Sequence, residues 1–144
     1  MRHFFLRIEA TRDGLLHVIQ TRDKKGRFLG VVSEPTRTEA LAEAKALALE
    51  TLLEFAEGAI PPQDSLFLAP PKGGALELSL QDLFPILLRH KRSQRGLTQT
   101  ALAERLDIKQ QVYARLERPG KSNPTLSTVQ RLSTILNEDI LALA

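Results

Sequence analysis

One stretch of this chain holds Pro61, Pro62, Pro70 and Pro71, four of its eight prolines, and the apolar patterning differs on its two sides. Before it, Phe4, Leu6 and Ile8 share one parity. Further apolar runs, Leu15 to Ile19 and Phe28 to Val32, follow the turn formers Asp13-Gly14 and Lys24-Lys25-Gly26. Alternation of this kind puts one set of side chains on one face of a strand. From about Asp82 onward, apolar residues recur every three or four positions, the spacing of one helix face. Dense proline opposes helix and central strand alike, so the two patterns belong to separate parts. The expected class is α+β. Residues 1–78 should form a small antiparallel sheet with one long helix, and residues 79–144 an all-α domain. The Pro-rich stretch, about 58–74, is either a linker or a connection crossing the sheet.

Within the first part, Thr36-Arg37-Thr38-Glu39 has the spacing of a capping box, which predicts a helix over 39–57. Leu41, Ala44, Ala48, Leu52 and Phe55 form its apolar stripe, and Gly58 ends it. Ala75 to Leu80 alternates as a short strand that either completes this sheet or pairs with the same strand of a second subunit. In the second part, Asp82 is the expected N-cap, with Pro85 in the first turn of a helix reaching Gln94. Thr98 should cap a short helix, Gln99 to Arg105, with Leu102, Ala103 and Leu106 inward. A turn at Asp107-Ile108 leads to a helix over Lys109–Glu117 that buries Val112 and Leu116. A last helix presents Leu126, Val129, Leu132, Ile135 and Leu136 to the core.

Cysteine is absent, which excludes disulfides, thiolate metal sites and thiol nucleophiles. No apolar run approaches the roughly 18 residues a membrane helix needs, and Arg7 and Glu9 break the N-terminal run, so a cytoplasmic protein without membrane contact is expected. Charge is uneven. Residues 1–78 hold 10 Lys and Arg against 11 Asp and Glu, whereas residues 79–144 hold 10 against 6. A basic domain attracts polyanions, chiefly nucleic acid. The carboxylates Glu9, Asp13, Asp23 and Glu34 have no spacing that would gather them on a metal pair, and His3, His17 and His90 lie far apart. No catalytic residue, metal or cofactor is expected.

Two short helices joined by a tight turn, with the small Ala103 where they cross, are the parts of a helix-turn-helix. On its second helix, Lys109, Gln110, Gln111, Tyr113 and Arg115 would face a major groove. There glutamine pairs with adenine, and arginine or lysine with guanine. Arg95, Thr98, Gln99, Lys121 and Asn123 would supply phosphate contacts. The bland alternative is that these are a solvated polar face, with Tyr113 a packing residue. Leu97-Thr98-Gln99-Thr100-Ala101-Leu102-Ala103-Glu104, Ile108-Lys109-Gln110-Gln111-Val112 and Leu116-Glu117 resemble the Xre/Cro-like helix-turn-helix family. That resemblance implies that Gln99 contacts phosphate and supports Gln110, and that Gln111 and Arg115 also read bases. Asp107 stands where the family's turn usually has glycine, and Lys109 where it usually has a Ser or Thr cap.

The segment Arg115 to Leu126, with Arg118-Pro119-Gly120-Lys121-Ser122-Asn123-Pro124 at its centre, resembles the C-terminal domain of HicB antitoxins. The strands, Thr36-Arg37-Thr38-Glu39-Ala40, the long helix and Gly58-Ala59-Ile60-Pro61 resemble the HicB domain, a partial RNase H-like fold that blocks the small ribonuclease toxin HicA. The family's usual Pro-Gly-Cys element is absent, and Asp23 to Gly26 stands there instead. The resemblance implies an antitoxin with two partners, double-stranded operator DNA and a HicA-like toxin. It would act as a homodimer or higher even-numbered oligomer, joined through Ala75 to Leu80, the last helix or Ile140 to Leu143. The alternative is a helix-turn-helix regulator whose N-terminal domain senses another protein or a small ligand.

Overall fold

A computed structural model of the chain describes residues 3–142. Three strands come first, β1 (Phe4–Asp13), β2 (Leu16–Arg22) and β3 (Phe28–Glu34), followed by the 21-residue helix α1 (Arg37–Glu57). A fourth strand, β4 (Ala75–Leu78), pairs antiparallel with β1 from Phe4↔Leu78 to Arg7↔Ala75 and gives the order β3-β2-β1-β4. The Ala75 strand therefore completes the first sheet. The proline-dense stretch is an ordered connection: Leu66 is buried, and Phe67 and Phe5 exchange two backbone hydrogen bonds at 2.9 Å. Phe4, Leu6 and Ile8 are buried, as their parity requires, and Ile19 and Val32 lie opposite each other in the core. Gly30 lets α1 approach the sheet, because a Cβ there would lie 2.3 Å from Leu47 Cδ2.

The Thr36 hydroxyl accepts from the Glu39 amide at 3.1 Å, without the reciprocal bond of a full capping box. Along α1 the buried set is wider than one stripe. Ala40, Leu49, Leu53 and Ala56 join Ala44, Ala48 and Leu52, while Leu41 and Phe55 lie at the border. The reason is that α1 is covered by the sheet and also by the next helix, α2 (Leu80–Gln94). The start of α2 differs from expectation. Ser79, not Asp82, is the N-cap, and Asp82 is its capping-box partner, with bonds of 3.0 and 2.9 Å in the two directions. Pro85 therefore sits in the second turn, where it forgoes the bond to the Gln81 carbonyl. Three more helices follow, α3 (Gln99–Leu106), α4 (Gln110–Leu116) and α5 (Leu126–Leu136). Their buried residues are continuous with those of the sheet, α1 and α2 in a single core. Among the described residues no helix is long and apolar enough to cross a membrane.

Candidate nucleic-acid interface

The Thr98 hydroxyl accepts from the Ala101 amide at 3.0 Å and so caps α3, as its position predicts. The helix ends on Asp107, which takes the left-handed conformation (φ 56°, ψ 46°) that a glycine usually fills, and α4 begins after Lys109 with no side-chain cap. Leu102, Ala103 and Leu106 are buried between the helices, and Arg131 of α5 donates to the otherwise open Leu106 carbonyl at the end of α3. The α3–turn–α4 unit is thus fixed at its crossing, its turn and both ends of its first helix.

The face that α4 buries differs from the expected one by a single residue. Tyr113 has no exposure, whereas Val112 is 52% exposed. Tyr113 is accordingly excluded as a base-reading residue, and Val112 is excluded from the core. The phenol supplies more apolar area than valine, and its hydroxyl has a buried acceptor in the Glu117 carboxylate. Leu126 is also outside the core, at 73% exposure, because it is the first residue of α5 and precedes the turn that packs. Ile140, one of the residues considered for dimer contact, is buried in the chain's own core, and Leu143 lies outside the described residues.

Glu117, fully buried at the end of α4, accepts five hydrogen bonds. Arg92 of α2 donates through Nε (2.7 Å) and Nη2 (2.9 Å), Arg89 through Nε (3.1 Å), Gln99 through Nε2 (3.2 Å), and Tyr113 through its hydroxyl. Burial favours the neutral acid, but the bonds from Arg92 and Tyr113 outweigh it and hold this carboxyl below the usual carboxylate range. Burial, with the adjacent carboxylate, pushes the Tyr113 hydroxyl upward. Arg92 also donates to the Leu97 carbonyl at 2.8 Å, and Glu57 of α1 lies 3.6 Å from both arginines. In the sequence Glu117 stands out only as the last residue of the expected Lys109–Glu117 helix and as part of the Leu116-Glu117 family pattern. The available signal was Arg92 itself, an arginine on the buried side of α2 that requires an acid nearby.

This network reaches the exposed side of α4 through one amide. Because Glu117 can only accept, Gln99 must turn its Nε2 toward it, which leaves Gln99 Oε1 to accept from Gln110 Nε2 at 3.1 Å. Gln110 keeps its oxygen and one N–H free, the pair that binds adenine N6 and N7. The fold thus brings together Gln99 and Gln110. Lys109, Gln110, Gln111 and Arg115 are exposed, as are Arg95, Thr98, Lys121 and Asn123, while Gln99 is half-buried. A family model described as helix-turn-helix matches residues 88–143, and the matched segment begins inside α2. No curated protein matches the chain. Residues 88–143 are a helix-turn-helix domain, which points to a DNA-binding transcription regulator.

Proposed function

We propose that this chain is a cytoplasmic antitoxin-type repressor: its helix-turn-helix reads operator DNA as a dimer, and its N-terminal half holds and blocks a small HicA-like ribonuclease. The observation that carries the DNA reading is the Glu117–Gln99–Gln110 hydrogen-bond chain, which orients a groove-facing amide before DNA arrives. Around it, Lys109, Gln111 and Arg115 offer further base-edge donors, and Arg95, Thr98, Lys121 and Asn123 offer phosphate contacts. The toxin reading rests on the likeness of residues 1–61 to HicB, and the β-β-β-α order with a return strand is compatible with it. For the DNA arm, binding to the upstream promoter fragment is measured across salt for wild type and for Gln110→Ala with Gln111→Ala. The expected result is a steep salt dependence in both, with sequence preference lost only in the double variant. Retained preference would refute the assigned readout, and a flat salt dependence would refute phosphate-driven binding. For the toxin arm, the full chain is co-expressed with the small protein encoded beside it. Failure to restore growth or form a complex refutes that half.

A ligand-sensing regulator is the second reading, and one observation favours it. A groove of about 550 Å³ lies between Ala42, Ala46 and Leu49 of α1 and Pro119-Gly120, in the loop that leaves α4. A molecule seated there would touch both the N-terminal half and the segment following the recognition helix.

A further inference from the structure

The side of α4 turned away from Tyr113 and Glu117 carries one apolar group, Val112. At about 100° per residue, Val112 lies about 100° from Gln111, about 60° from Arg115 and about 160° from Gln110 around the axis, so it borders the Gln111–Arg115 side of α4 and not the Gln110 side. Polar side chains there can bond to base edges, but none can recognise the group that distinguishes thymine in the major groove, its C5 methyl, which needs an apolar contact. Valine suits that role. Branching at Cβ holds its χ1 in one rotamer in a helix, so its methyl groups stand at fixed positions and little freedom is lost on contact. About half of its surface stays open to solvent, and burying that part against a methyl removes apolar surface of both partners from water.

We infer that Val112 is a specificity residue that reads the C5 methyl of a thymine next to the bases taken by Gln111 and Arg115. This rests on the DNA-reading function proposed above. The test uses the full chain and a duplex selected from a random-sequence library by the wild-type protein. Each thymine is replaced singly by deoxyuridine, which deletes only the methyl, and binding is followed by fluorescence anisotropy for wild type, Val112→Ala and Val112→Thr. At one thymine per half-site, loss of the methyl should weaken wild-type binding about fourfold, the change that one buried methyl corresponds to. Val112→Ala should lose the same factor on the thymine duplex and show no further loss on deoxyuridine. Val112→Thr, which keeps one methyl, should fall between them. Because the side chain is exposed, all three proteins should share one melting temperature. If the protein selects a sequence but no thymine shows a Val112-dependent methyl effect, the inference fails while the DNA-binding function stands. If no sequence is selected at all, both fail.

Discussion

Removing a buried carboxylate costs more than the bonds it makes when its partner charge stays behind, and Glu117 stands in that relation to Arg92. Glu117→Gln keeps the shape but leaves the guanidinium without its counter-charge, and is expected to cost about 3–5 kcal/mol. Acid should reveal the same bond. The folded pKa of Glu117 is lowered, so its stabilising contribution is complete above the unfolded value of about 4.5 and is lost as pH falls through the folded value. His90 acts at higher pH. Burial lowers its pKa and its Nδ1 has no hydrogen-bond partner among the described residues, so the unfolded chain takes up that proton first and stability falls as pH drops below about 6.5. Urea titrations across pH should therefore show two steps of loss. Glu117→Gln should shrink the lower step, to which Asp82, held low against its burial by Lys45 and Ser79, also contributes, and His90→Phe should remove the upper. A wild-type profile flat from about pH 7 to 5 would contradict the His90 assignment, and one flat from about pH 5 to 2 the Glu117 assignment.

Among the elements, the turn between α3 and α4 makes the clearest prediction. Asp107 bears the left-handed conformation with no side-chain hydrogen bond among the described residues to offset it, so Asp107→Gly should stabilise the protein by about 0.5–1 kcal/mol. A lower melting temperature in that variant would show that the Asp side chain has another function in the turn. This residue was legible in advance, because an aspartate in a glycine's place announces its conformation. The strands were legible too, since Phe4, Leu6 and Ile8 lie on a sheet with one covered face. The inward face of α4 was not. Seven residues make two turns, too few for periodicity to fix a phase, and its buried residue, Tyr113, is held by the C-cap Glu117, whose partners Arg92 and Gln99 come from other helices. The start of α2 was misplaced for a related reason: the first-turn preference of proline pointed to Asp82, while the reciprocal Ser79–Asp82 pair and the packing on α1 decide where the helix begins.

At the scale of the molecule, α2 belongs to both halves. It begins against α1, carries the arginines that fix Glu117, and enters the helix-turn-helix domain partway along its length. Glu57 at the end of α1 adds a polar link to the same arginines. A helix shared in this way, inside one continuous set of buried residues, makes the halves unfold together even though their secondary structures differ. The composition supplies a clean test. Tyr113 is the only tyrosine and tryptophan is absent, so tyrosine emission reports on α4 alone, whereas far-ultraviolet circular dichroism reports on sheet and helices together. For one cooperative unit the two signals should share a midpoint and a van't Hoff enthalpy in a thermal melt. If tyrosine emission changes first, α2 is not a rigid joint, and the helix-turn-helix melts independently of the sheet. Coincident curves would show that α2, with Arg89 and Arg92 on Glu117 and Glu57 beside both, joins the sheet and the helix-turn-helix into one cooperative unit.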